Sequence, residues 1–139
     1  MNSIIKASAT AIALGVVATS AFADAHSLSG KLRIVSDMSN PAPRAVMEGL
    51  ATDFGALHPE LNIELEIVDR EAWKTQIRNS LTANAPDVVN WYAATRMSPF
   101  VDAGLFMDLT DLWEDPAMAN LASTKGAMTL NGAQWGVPY

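Results

Sequence analysis

Residues 54–91 read FGALHPELNIELEIVDREAWKTQIRNSLTANAPDVVNW, and the spacing of apolar residues changes twice along them. Leu61, Ile63, Leu65 and Ile67 are separated by Asn62, Glu64 and Glu66, the period of two that sends one face of a strand into a core and the other into water. In a parallel sheet covered on both faces such alternation is costly, which predicts an edge strand. Asp69 is placed to cap the helix that follows, in which Trp73, Ile77 and Leu81 recur every four residues while Lys74 and Arg78 face outward. Asn84-Ala85-Pro86 closes that helix. Asp87-Val88-Val89-Asn90-Trp91 then reads as a short buried strand, bounded by Pro86 where it begins.

Upstream, Lys31 to Ser36 is a β-rich run followed by a polar turn from Asp37 to Pro43, with proline placed for a helix start. From Pro43 to Leu57, Val46, Leu50, Phe54 and Leu57, joined by Met47, keep to one stripe of a 3.6 period and predict a core-facing amphipathic helix that ends at His58-Pro59. Strand, helix, strand, helix, strand with crossovers of this length predicts an α/β fold of two βαβ units sharing a parallel sheet. With right-handed crossovers and the alternating strand at an edge, the spatial order is 2-1-3. Downstream, Ser98-Pro99 opens a short helix ended by Gly104, and Leu109, Leu112 and Trp113 indicate a further turn or two. Asn131-Gly132 is a hairpin signal between MTL and AQWGV. A hairpin leading straight to Tyr139 without further strands to complete the sheet predicts an amino-terminal fragment, incomplete at its carboxyl end.

The 139 residues are 50% hydrophobic and 17% charged, too apolar for disorder and too few for more than one compact domain. Nine Lys+Arg against 15 Asp+Glu give a net charge of −6, which argues against nucleic acid or an anionic membrane surface as partner. The absence of Cys excludes disulfides, thiolate metal sites, thiol catalysis and a lipid-modified amino-terminal Cys. Residues 1–23 read as a cleaved signal peptide: Lys6 supplies a positive charge, Ala7 to Val17 an apolar run, and Ala21-Phe22-Ala23 small residues at the cleavage site. A membrane anchor needs about 20 apolar residues, and this run is shorter. Residues 24–139 are then the exported part, and an acidic cysteine-free export fits a periplasm.

In an open α/β sheet the loops at the carboxyl ends of the strands converge on a crevice at the switch in strand order. The first such loop offers Ser36, Asp37, Ser39 and Asn40, the second Asp69 and Arg70, and the third Asn90, Trp91, Tyr92, Thr95 and Arg96. Flat rings stack on the apolar face of a sugar, Asp and Asn bond its hydroxyls, and Arg presents a fixed fork of donors. This is chemistry for holding a polyol, with Asp37, Asn40, Trp91, Tyr92, Thr95 and Arg96 as candidates. Each has a second reading. Strand alternation lets only one of Trp91 and Tyr92 point at the core, Asp37 can cap the turn after the first strand, and Arg96 can pair with Asp102 or Glu114. Asp69 and Arg70 read better as helix-start residues, and Trp73 as core.

No catalytic motif is present: GxSxG, HExxH, GxGxxG and GxxxxGKS patterns are missing, and His26 and His58 stand alone, so no metal, cofactor or catalytic residue is assigned. The acidic pairs Asp108 and Asp111, and Glu114 and Asp115, fit solvated helix starts better than opposed catalytic carboxyls.

The stretches KLRIVSD, FGALHPELNIELEI, APDVVNWYA, DAGLFMDLTDLWE and NGAQWGVPY, in this order, resemble the family 1 extracellular solute-binding proteins, the maltose-binding-protein-like sugar receptors of bacterial ABC transporters. The resemblance implies the first lobe of a two-lobed, type II periplasmic-binding-protein-like fold, truncated before the hinge is complete and before the second lobe. It implies a monomer that captures a mono- or oligosaccharide without chemistry and delivers it to permease subunits. It places Asp37 and Asn40, Trp91, and Thr95 and Arg96 at the cleft, and Trp135 and Tyr139 toward the hinge. The third loop carries Ala94, Thr95 and Arg96 where maltose-binding protein has acidic and basic partners, so a maltose specificity is not implied. A secreted carbohydrate-active enzyme, a stand-alone interaction module, and a binding protein for polyamines, iron or peptides are the competing readings.

Overall fold

The computed structural model describes residues 28–139, and the signal-peptide reading of residues 1–23 lies outside them. β1 (Gly30–Ser36), α1 (Pro41–Leu57), β2 (Leu61–Ile67), α2 (Arg70–Ala83) and β3 (Val88–Val89) follow one another, and the strands form a parallel sheet in the order β2-β1-β3. β2 pairs with β1 along its whole length, from Gly30 opposite Leu61 to Ser36 opposite Ile67. The chain passes from β1 outward to β2 and then back across β1 to β3, so the order reverses at β1.

β3 is shorter than Asp87 to Trp91. Pro86 has no N–H to offer a ladder, and only Val88 and Val89 pair with Ile34 and Val35. The flanking residues still bond to β1: Asp87 donates its N–H to the Arg33 carbonyl at 2.9 Å and Asn90 its N–H to the Val35 carbonyl at 3.2 Å. Beyond Asn90 the chain leaves the sheet, so strand alternation stops governing Trp91 and Tyr92.

The period of two on β1 assigns its faces. Val35 packs with Trp73, Ile77 and Leu81 of α2 and with Phe100 in the buried core. Leu32 and Ile34 face the other way, toward Met47, Leu50 and Phe54 of α1, so α1 and α2 cover opposite faces. Burial of each large core side chain contributes about 1.5–3 kcal/mol, and Trp73 and Ile77, 2% and 1% exposed, centre that layer.

The stripe on α1 departs from expectation. None of its residues is buried, and Val46, Leu50 and Leu57 stay 60%, 58% and 75% exposed. The three-stranded sheet is too narrow to cover the stripe, which instead borders an apolar groove of about 410 Å³ against Leu32, Ile34 and Leu65.

Each of the four tryptophans donates its indole N–H to a main-chain carbonyl: Trp73 to Asn90 at 3.0 Å, Trp91 to Arg96 at 2.8 Å, Trp113 to Gly136 at 3.0 Å and Trp135 to Leu130 at 3.0 Å. The rings therefore pin loops as well as fill space. α3 (Ser98–Val101) buries Phe100 and Val101, and Gly104, at φ +67°, turns the chain after it. The residues around Trp113 form a 3₁₀ turn (Asp111–Glu114), followed by a 3₁₀ segment (Pro116–Met128) begun by the Asp115 carboxylate accepting from Ala117 N–H. β4 (Thr129–Leu130) and β5 (Ala133–Gln134) form the expected antiparallel hairpin, with Asn131 at φ 54° and Gly132 at φ 84° as an Asn-Gly turn of this kind requires. Among the described residues no helix is long and apolar enough to cross a membrane.

Candidate functional site

Asp37 follows the last residue of β1 and is only 8% exposed. Its Oδ2 lies 3.3 Å from Nε of Arg70, joining the first loop to the second. The pairing follows from local structure. The Val68 N–H donates to the Ser36 carbonyl at 2.9 Å, so β2 ends level with β1. The Asp69 carboxylate then accepts from Glu71 and Ala72 N–H at 2.9 and 3.0 Å, which caps α2 as expected and sets Arg70 in its first turn beside the tip of β1. Arg70 is thus more than a helix-start residue. The turn after β1 is held instead by Ser36 Oγ, which accepts from Met38 N–H at 3.3 Å, and by the Asp37 carbonyl, which accepts from Ser39 N–H at 2.9 Å. The capping role weighed for Asp37 is therefore filled without its carboxylate.

The third loop is folded back on itself. Ala94 adopts φ 54°, uncommon for a residue with a Cβ, and opens a 3₁₀ turn (Ala94–Arg96). This brings the Arg96 guanidinium to 4.4 Å from the centre of the Tyr92 ring, an arrangement worth about 0.5–1 kcal/mol at an exposed site. Arg96 forms no ion pair with Asp102 or Glu114: Asp102 accepts from Ser98 Oγ and Glu114 pairs with Lys125. Trp91 and Tyr92 are both half-buried. Trp91 meets Phe100 and Tyr92 edge to face, each at 5.3 Å between centroids. With its N–H committed to the Arg96 carbonyl, Trp91 offers a ligand its ring and no donor.

Two further groups reach this place. The Lys74 ammonium lies 5.9 Å from the Tyr92 ring centre. Its pKa is raised, chiefly by a 2.6 Å hydrogen bond to the Glu71 carboxylate and secondarily by Tyr92. The Tyr139 phenol is raised by desolvation and then by the negative charge of Asp37, with Arg70 acting in the opposite direction and Tyr92 adding to the rise. Tyr139, largely exposed as a residue, thus brings its hydroxyl into the field of Asp37, Arg70 and Tyr92. The first loop, the start of α2 and the third loop thus come together at the carboxyl ends of the strands.

Two acceptors there have no protein partner: Asp37 Oδ1 and Asn90 Oδ1 are buried and unbonded among the described residues. They stand at the ends of the neighbouring strands β1 and β3, at the switch in strand order. From Trp91, the residue after Asn90, a depression of about 450 Å³ runs between α2 and α3, lined also by Lys74, Arg78, Thr95, Arg96, Pro99 and Phe100.

Of the six candidates, Asp37 and Tyr92 stand in the converging network, and Trp91, Thr95 and Arg96 border the depression. Asn40 does neither: it is exposed at the amino end of α1 without a side-chain cap bond. Sequence reasoning turned Lys74 and Arg78 outward and did not join Arg70 to the site. The signal was the four-residue spacing of Arg70, Lys74 and Arg78, which puts three cations on one side of α2. The electrostatic influence of Asp37 on Tyr139 left no trace in local sequence. Among the described residues no group of His, Cys, Asp and Glu could hold a metal ion.

The family model for bacterial extracellular solute-binding proteins matches residues 39–139, from the loop after β1 through Tyr139. The chain belongs to this family. Its fold is that of solved receptors of the same kind. A structure from work on xylan utilization by Caldanaerobius polysaccharolyticus superposes with a TM-score of 0.71 at 23% identity, over 78% of this chain and 28% of that one. The bacterial solute receptor AcbH, described as exclusive for β-D-galactopyranose, gives 0.67 at 20% identity, over 76% of this chain and 27% of its own. The GacH receptor of Streptomyces glaucescens, solved unliganded and with acarbose, gives 0.66 at 24% identity, over 80% and 29%. The chain spans just over a quarter of the length of these solved structures. Comparison with curated proteins gives no match. For this solute-binding family member, the parallel β2-β1-β3 sheet and its flanking helices make a first-lobe core of the type II periplasmic-binding-protein fold.

Proposed function

We propose that the strand tips form one jaw of a carbohydrate-binding cleft in the sugar receptor of an ABC transporter. The joining of the first two loops by Asp37 and Arg70, with the Trp91 and Tyr92 rings in the third, carries this reading. Rings for the sugar face (Trp91, Tyr92) stand beside two buried acceptors, Asp37 Oδ1 and Asn90 Oδ1, that lack donors. Leaving a buried acceptor unpaired costs about 1–3 kcal/mol, and a sugar hydroxyl supplies the missing donor.

The solved receptors of the same fold that are named for saccharides support a sugar as the solute. The chain covers 27–29% of the matched structures, and in this reading the opposing jaw and the remaining hinge crossings belong to the rest of a two-lobed receptor. Residues 1–23 serve as the export signal and residues 24–139 as the start of the mature receptor, a monomer working in the periplasm. Capture involves no bond making. A sugar that contacts both jaws stabilises the closed state by its difference in affinity between closed and open forms, and the permease reads closure.

Titrating the full-length protein with a panel of mono- and oligosaccharides, followed by tryptophan emission and calorimetry, tests the reading. Saturable binding of at least one saccharide is expected. Absence of heat and emission change across the panel, or turnover of a bound glycan, would overturn it.

A further inference from the structure

Most cations among the described residues are neutralised locally. Lys31 pairs with Glu64, Arg33 with Glu66, Arg44 with Glu48, Arg70 with Asp37, Lys74 with Glu71 and Lys125 with Glu114. Arg78 and Arg96 alone have no ion pair among the described residues, and both line the same depression beside the strand tips. No carboxylate lines it, although the chain as a whole carries a net charge of −6.

The two guanidiniums are held in a similar manner. Arg78 Cζ lies 5.3 Å from the Phe100 ring centre and Arg96 Cζ 4.4 Å from that of Tyr92. A guanidinium against a ring loses side-chain freedom before any ligand arrives, yet its in-plane N–H fork remains able to grip two oxygens of one anion. Lys74 adds a third cation, shared with Glu71 at 2.6 Å. The four-residue spacing of Arg70, Lys74 and Arg78 runs this positive strip from the strand tips along α2, so an anion in the depression is contiguous with a sugar ring at Trp91 and Tyr92.

We propose that the cognate solute is an acidic saccharide whose anionic oxygen pair is bound by Arg78 and Arg96. The inference rests on the carbohydrate-cleft reading and narrows it. A carboxylate on a uronic acid and a phosphate on a sugar present the same chemistry to an arginine fork. Two unpartnered guanidiniums facing one small depression in an acidic protein also steer such anions toward the site.

The experiment is calorimetric titration of the full-length protein with galacturonate, glucuronate and mannuronate oligomers, each against its methyl ester, and with glucose 6-phosphate against glucose. At least one acid is expected to bind about tenfold or more tightly than its neutral counterpart, which corresponds to about 1.4 kcal/mol. The acid affinity should fall as salt rises from about 0.05 M to about 0.5 M, because exposed charges are screened over shorter distances. Preference in the uronate arm identifies a carboxylate, and preference in the phosphate arm a phosphate. Arg78→Gln and Arg96→Gln should each collapse the acid-over-neutral ratio, and Arg96→Lys, which keeps the charge but not the fork, should retain part of it. Neutral sugars binding as well as every acid, with the ratio unmoved by the substitutions, would overturn the acidic-solute inference while leaving the sugar cleft standing. No binding of any acid or neutral saccharide would overturn both.

Discussion

Replacing Trp73 with Phe should loosen the candidate site from behind. The Trp73 side chain is 2% exposed, and its indole N–H donates across the core to the Asn90 carbonyl at 3.0 Å. Phe removes that donor and leaves the carbonyl without a partner, which costs about 1–3 kcal/mol. The smaller ring also opens a gap between Val35 and Ile77, for which about 1–2 kcal/mol more is expected from large-to-small core replacements. The sum, about 2–5 kcal/mol, is a large part of the stability of an ordinary domain. Asn90 immediately precedes Trp91, so the opening should be felt at the third loop. Native-state hydrogen exchange of α2 and third-loop amides in the full-length protein reads local opening directly, without requiring both lobes to unfold together. Trp135→Phe is the comparison: that half-buried indole bonds to Leu130 within its own hairpin, and its loss should cost about 1 kcal/mol and remain local. If Trp73→Phe protects its amides no worse than Trp135→Phe does, the proposed bracing of the loop is wrong.

The ion pair between the first two loops makes an asymmetric prediction. Arg70→Met strands a nearly buried carboxylate and should destabilise by about 1–3 kcal/mol, discounted for the exposure of Arg70. Adding Asp37→Asn should recover part of that loss, and a double-mutant cycle in chemical denaturation with zero coupling would refute the pair. The Asp108 carboxyl is held below its usual value of 3.8, chiefly by hydrogen bonds from the Thr110 side chain and backbone. Its stabilising effect is thus complete above that pH and lost as pH falls below it, and a carbon-detected NMR titration should move its midpoint up toward 3.8 in Thr110→Val. Gly132→Ala places a Cβ where φ is 84° and no neighbour lies within 4 Å, so the cost is conformational alone, about 1 kcal/mol in thermal unfolding. A neutral result would mean that the turn relaxes.

Much of the sheet was legible because its residues obey periods that belong to the backbone. The alternation at Leu61 to Ile67 is reproduced as alternating burial, and β2 lies at the edge it predicts. Trp73, Ile77 and Leu81 are the buried residues of α2, and Asn131-Gly132 turns a hairpin. The same periodicity misled at α1, whose stripe shows a face suited to burial while the described sheet does not cover it. Periods also could not foresee where β3 stops, because the departure after Asn90 is set by the packing of Trp91 on Phe100 and by the strained Ala94. At the candidate site, residue type and strand-end position picked out Asp37, Trp91, Tyr92, Thr95 and Arg96. Asn40, picked out by its amide and its place in the first loop, is exposed and shares none of their contacts. The roles of Arg70, Lys74 and Arg78 arise from contacts with Asp37, Tyr92 and Phe100 on other segments, which their shared helix face hints at but does not specify.

The central claim is that a saccharide is gripped at the carboxyl ends of β1, β2 and β3. Hydrogen exchange of the full-length protein with and without a saturating saccharide measures this residue by residue. Slower exchange should concentrate at 37–40, 69–74 and 90–96, with the exposed face of α1 unchanged. Protection confined to α1 and its apolar groove, with the strand tips exchanging as before, would contradict the account.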